Sequence, residues 1–151
     1  MTAARLPPIL IADDDADDQF LLRRALQKAK VENPIVTFND GDDLLQFLTA
    51  GTAPEQSHGA PPCLLFLDLN MPRMTGFDVL ATLAHAKLGR GLKTVVVSSS
   101  SREEDVERAK RLGASEYLIK FPGPETFGRI VADALEKVGG VEAKRGSQDA
   151  A

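Results

Sequence analysis

Leu64-Leu65-Phe66-Leu67-Asp68 decides the architecture of this chain: four unbroken apolar residues, too few for a helix, run directly into a carboxylate. A run that is apolar at every position rather than every second one reads as a strand covered on both faces, the situation of a parallel sheet flanked by helices. The same kind of run recurs on either side. Ile9-Leu10-Ile11, Ile35-Val36-Thr37-Phe38, Thr94-Val95-Val96-Val97 and Tyr117-Leu118-Ile119 are equally short, and several are rich in β-branched residues. Five strands are therefore predicted.

Between the runs, apolar residues fall at helical spacing: Leu22, Ala25, Leu26 and Ala29; Leu44, Leu45 and Leu48; Phe77, Leu80, Ala81 and Ala84; Val106, Ala109 and Leu112. The clearest helix carries Phe127, Ile130, Val131, Ala134, Leu135 and Val138, with Pro124 suited to its first turn and Gly139-Gly140 placed to stop it. Strand and helix alternate, so the fold class is α/β: a (βα)5 doubly wound, five-stranded parallel sheet with right-handed crossovers. Gly51 to Pro62 reads as an irregular loop. The expected division is an N-terminal extension over 1–7, one folded unit over 8–138 and a flexible polar tail over 139–151.

Composition narrows the function. The chain has 151 residues, 43% hydrophobic and 26% charged, values of an ordinary globular chain of one domain. Its 18 basic and 22 acidic residues leave a net charge of −4, which argues against nucleic acid as the main partner. One cysteine, Cys63, cannot form an internal disulfide, and its apolar neighbours suggest a buried, inert thiol. With no signal core and no apolar run of about 18 residues, the expectation is a cytoplasmic protein that does not enter membranes.

Open parallel sheets bind ligands outside the carboxyl ends of their strands. Strand one ends in Asp13-Asp14-Asp15, strand three in Asp68, strand four in Ser98 and strand five in Lys120. Any one of these alone is an ordinary helix cap or solvated loop end; all of them on one rim make a candidate site. The turn after strand one has no glycine, which excludes both a dinucleotide fingerprint and a P-loop. Carboxylates about 4 Å apart repel by roughly 4 kcal/mol per pair at an effective dielectric near 20, so a converging cluster calls for a cation. Mg2+ suits it, being hard and usually held by one or two carboxylates together with phosphate oxygens. Asp68 can then serve as metal ligand and as nucleophile towards phosphorus, with Lys120 and the Ser98 hydroxyl neutralising charge on the phosphoryl oxygens. His58 and His85 read as surface residues, and no base for activating water is apparent.

Asp13-Asp14, the segment Asp68-Leu69-Asn70-Met71-Pro72-Arg73-Met74-Thr75-Gly76-Phe77, then Ser98, Tyr117 and Lys120, at separations of 54, 30 and 22 residues from Asp14 through Asp68 and Ser98 to Lys120, resemble the receiver domain of two-component response regulators. The resemblance covers about residues 8 to 138. It implies a flavodoxin-like, CheY-like sheet of strand order 2-1-3-4-5. It implies that Asp68 accepts a phosphoryl group from a histidine kinase or phosphotransfer protein, in the role of a phosphoacceptor rather than an enzyme, with at most slow self-dephosphorylation. Asp14, Asp68 and the Asn70 backbone carbonyl would bind Mg2+, and Asp13 would act through water. Ser98 would move to the phosphoryl group and Tyr117 would follow, switching the face built from strand four, helix four, strand five and helix five, around Arg102 to Leu112.

The run Ser98 to Ser101 offers that hydroxyl at four adjacent positions, and the 22-residue spacing selects Ser98. Most receivers carry proline directly after the lysine; here Phe121 intervenes, so a cis bond of the usual X-Pro kind would fall at Phe121–Pro122. The long loop before strand three and the Asp-Leu-Asn-Met-Pro-Arg-Met segment are similar to small regulators that partner phytochrome-type histidine kinases. A single-domain regulator of this kind acts through a downstream protein target, and the resemblance is compatible with a homodimer.

Three rival readings compete with this one. A haloacid-dehalogenase-type phosphatase would use Asp13-Asp14-Asp15-Ala16, but it needs a further acidic pair at a strand end, whereas Glu125 and Asp133 fall in the last helix, and it leaves Asp68 unexplained. A calcium loop starting at Asp13 fails, because Asp18 and Arg24 stand where glycine and glutamate are required. The third is a receiver fold that serves as an interaction module without phosphorylation.

Overall fold

All five apolar runs form strands, and the computed structural model, which describes residues 6–50, 60–89 and 91–136, orders them β1 (Ile9–Ala12), β2 (Ile35–Phe38), β3 (Leu64–Leu67), β4 (Lys93–Ser98) and β5 (Glu116–Ile119). Helices α1 (Ala16–Lys28), α2 (Gly41–Thr49), α3 (Gly76–His85) and α4 (Glu103–Arg111) connect them, and α5 follows over 124–136 with Pro124 in its first turn. Every strand pair is parallel and the order across the sheet is β2-β1-β3-β4-β5. His58, nearly all of the Gly51–Pro62 loop, most of the N-terminal extension, Val138, the Gly139-Gly140 stop and the tail over 139–151 lie outside the described residues.

Alternate residues along each strand enter two cores. Leu10, Ala12, Leu65, Leu67 and Val96 face α2, α3 and α4. Ile9, Ile11, Leu64, Phe66, Val95 and Val97 face α1 and α5, where Phe66 meets Phe127 edge-on with ring centroids 5.5 Å apart. Each such buried side chain contributes about 2 kcal/mol in transfer free energy. Cys63 lies within the second core, as its neighbours suggested, and burial pushes its thiol up to about 11. Among the described residues no helix is long and apolar enough to cross a membrane.

Two helical stripes differ from the periodicity reading. On α3 the buried residues beyond Gly76 are Val79, Leu80 and Leu83, while Ala81 and Ala84 are exposed. On α2 Phe47 is buried together with Leu44, and Leu45 and Leu48 are only partly covered. Both stripes are rotated by about one residue, because the largest side chains set a helix's orientation and alanines weigh little.

Helix starts are fixed by short polar side chains, which also shape the loops at the rim. The Asp15 carboxylate caps α1 by accepting from the Asp17 and Asp18 N–H groups, and Thr75 and Asp78 form a reciprocal capping box on α3. At α4 the N-cap Arg102 contributes no side-chain bond. Ser100 takes over: its hydroxyl accepts from Arg102 N–H at 3.3 Å and donates to Asp105 at 2.6 Å.

Candidate functional site at the carboxyl rim of the sheet

The in-register pairing of Ala12 with Leu67 and of Leu67 with Val96 places the residues that follow β1 and β3 side by side. Asp13 and Asp68, both buried, are joined there by exposed Asp14, and one carboxylate oxygen of each lies within 4.8 Å of the other two. Among the described residues this is the one group of three or more Asp, Glu, His or Cys side chains arranged to hold a metal ion. The donors are all hard carboxylate oxygens, one of them open to solvent, and that set fits a small divalent cation such as Mg2+ or Mn2+.

Lys120 enters from the end of β5. Its backbone N–H bonds to the Ser98 carbonyl at 2.9 Å, which ties the tips of β4 and β5 together. Its Nζ lies 3.0 Å from Asp13, 2.7 Å from Asp18 and 3.4 Å from Asp68. Burial alone would lower the pKa of this ammonium, but hydrogen bonds to Asp18 and Asp13 and the charge of Asp68 outweigh it and hold the group above the ordinary lysine value.

The carboxylates shift upward as well, which for them disfavours the charged form. Asp68 is pushed up from 3.8 to about 6, first by burial and then by Asp13 beside it, against the pull of Lys120 and of the Asn70 backbone N–H. Burial also raises Asp13, despite its bonds to Asp15 N–H and Lys120. Both shifts express the cost of holding negative charge in a partly dry place.

Of the four adjacent serines only Ser98 is buried. Its Oγ accepts from Ser100 N–H at 3.1 Å, and the Ser100 carbonyl accepts from the Tyr117 hydroxyl at 2.8 Å. Ser98 and Tyr117 thus meet at one residue of the β4–α4 loop. Gly76, at the start of α3, is required by close approach: a Cβ there would lie 2.5 Å from the Asp68 carbonyl oxygen and 2.8 Å from Leu69 Cα. The cis peptide bond in this region is Lys120–Phe121, one residue before the Phe121–Pro122 bond whose isomer the sequence left open. His85 is exposed at the end of α3, and Glu125 and Asp133 both lie on α5, where Asp133 pairs with Arg129.

Residues 9–132 match the sequence profile of the family described as "Response regulator receiver domain". The chain belongs to that family. Response regulator Rcp1 of Synechocystis sp. is 28% identical over 138 residues, 90% of this chain and 88% of Rcp1. The Mn(2+)-bound form of Rcp1 superposes with a TM-score of 0.65 at 27% identity, over 87% of this chain and 93% of the other. The bacteriophytochrome response regulator AtBRR gives a TM-score of 0.73 at 29% identity, over 87% and 94% of the two chains. The phosphorylated cyanobacterial phytochrome response regulator RcpA gives 0.67 at 28% identity, over 88% and 93%. The chain is therefore a signalling receiver domain of two-component type.

Two participants at the receiver rim escaped the sequence reading. Asp18 bonds Lys120, and Gln19 donates from its side-chain amide to the Asp13 carbonyl and, at 2.8 Å, to Asn39. The available signal was positional: Asp15 caps α1, so Asp18 falls in its first turn, beside the strand tip.

Proposed function

We propose that the receiver unit, residues 8–138, accepts a phosphoryl group on Asp68 from a histidine kinase or phosphotransfer protein in a Mg2+-dependent reaction, and signals through its β4–α4–β5–α5 face. The observation that carries this reading is Lys120 Nζ standing 3.4 Å from Asp68 while Asp13 and Asp14 crowd the same carboxylate. Asp13, Asp14, Asp68 and the Asn70 carbonyl would hold the Mg2+ ion, which when bound offsets the charge of the carboxylates and of the phosphoryl oxygens.

A carboxylate with a pKa of about 6 is still ionised at neutral pH and more basic than an exposed aspartate, which suits a nucleophile. An Asp68 oxygen forms the new P–O bond as the P–N bond to the donor's imidazole breaks, leaving a mixed anhydride on the receiver. Lys120 neutralises one phosphoryl oxygen. The Ser98 hydroxyl accepts from Ser100 N–H, which leaves its own proton to donate to another. Because Ser100 also holds Tyr117, movement of Ser98 is passed to the tyrosine ring and on to α4. The phytochrome response regulators among the relatives support a phytochrome-type kinase as the donor, with a downstream protein as the target.

Incubation with acetyl phosphate and Mg2+ tests the reading by intact mass. One phosphoryl group per chain, absent in Asp68→Asn, is expected. Unchanged labelling of Asp68→Asn would overturn it, and Lys120→Ala should retain some labelling while losing its effect on Tyr117.

A further inference from the structure

Lys120 is shared among three carboxylates, and the phosphotransfer reading employs only two of them. The third, Asp18, makes the shortest contact: 2.7 Å, against 3.0 Å to Asp13 and 3.4 Å to Asp68. Two of the ammonium's three N–H donors go to Asp18 and Asp13 rather than to the phosphoacceptor, which Nζ meets only as an ion pair. Asp18 is firmly placed. Its N–H bonds to the Asp15 carboxylate at 3.3 Å, and the neighbouring Gln19 is anchored to the Asp13 carbonyl and to Asn39. The Lys120 side chain is only 10% exposed and that of Asp18 24%, so solvent screens this pair only in part.

A doubly charged phosphoryl group on Asp68 must therefore draw Lys120 towards itself against the pull of α1. We propose that Asp18 is a positioning residue that holds Lys120 back from the phosphoacceptor and thereby sets how tightly the phosphoryl group is gripped. This rests on Asp68 as the phosphoacceptor. Removal of the Asp18 charge leaves Lys120 with Asp13 and Asp68 alone and shifts it towards Asp68. Asp17 supplies the control: it is an exposed carboxylate in the same turn of α1, its side chain has no partner at the site, and its neutralisation changes the net charge equally.

The test is a titration with beryllofluoride, a mimic of a phosphoryl group on a carboxylate, in Mg2+, followed by 19F NMR on wild type, Asp17→Asn, Asp18→Asn and Asp18→Ala. Both Asp18 variants should bind roughly three- to tenfold tighter than wild type, the size of one partly screened ion pair, and Asp17→Asn should stay within about twofold of wild type. A merely structural Asp18 would move affinity the other way, since loosening Lys120 weakens the site. Wild-type binding with Asp18 variants no tighter than Asp17→Asn would overturn this inference alone. Absence of wild-type binding would overturn it together with the reading of Asp68.

Discussion

Replacing Asp68 with asparagine should make the metal-free protein more stable while abolishing its phosphorylation. The folded state holds Asp68 at a pKa of about 6 against an ordinary 3.8, chiefly through burial and the neighbouring Asp13. At 1.36 kcal/mol per pKa unit, the ionised carboxylate costs the native state about 3 kcal/mol above pH 7. Asparagine has the same shape and still offers Lys120 an acceptor oxygen, but its amide adds an N–H pair that needs partners. A net gain of about 1–2 kcal/mol remains, or about 3–8 °C in melting temperature for a domain of this size.

The pH dependence has a definite sign. A carboxyl whose folded pKa lies above its unfolded value makes the native state bind the extra proton between about pH 4 and 6, so wild type gains stability as pH falls through that window. The asparagine variant lacks this group. The gap between the two should be widest at pH 8 and nearly closed at pH 5. Thermal melts in EDTA at pH 5, 6, 7 and 8 measure it. A variant less stable than wild type at pH 8, or a gap independent of pH, would refute the reasoning.

Mg2+ should raise the wild-type melting temperature in a concentration-dependent manner, and Asp14→Asn should lose most of that gain; equal gains in both would count against the carboxylate cluster as a metal site. Gly76→Ala forces a Cβ against the Asp68 carbonyl and the Leu69 backbone, which cannot swing aside, so urea unfolding should show a loss of about 2–3 kcal/mol together with a drop in phosphoryl labelling. Cys63, buried and with its thiol at about 11, should be about 0.1% thiolate at pH 8 and resist alkylation until the protein unfolds, which time-resolved iodoacetamide labelling with and without urea will show.

Much of the site was legible because a parallel sheet turns sequence position into spatial position. Each polar residue directly after an apolar run must lie at the same rim, so Asp13, Asp68, Ser98 and Lys120 could be grouped before any distance was known. The insertion of Phe121 between Lys120 and Pro122 was visible too. The rotated stripe on α3 was not legible, since Phe77, Ala81 and Ala84 fit the helical period as well as Val79 and Leu83 do.

The chain's own order of residues determined the strands, their parallel arrangement and the rim on which chemistry gathers, because backbone period and burial act over a few neighbouring positions. Only the tertiary structure decided that Asp13 is buried and Asp14 exposed, that Ser100 joins Ser98 to Tyr117, and that Asp18 competes for Lys120. Those outcomes depend on ångström-scale separations between side chains brought in by different elements, and such separations follow from how helices settle on the sheet, to which no local pattern of residues has access.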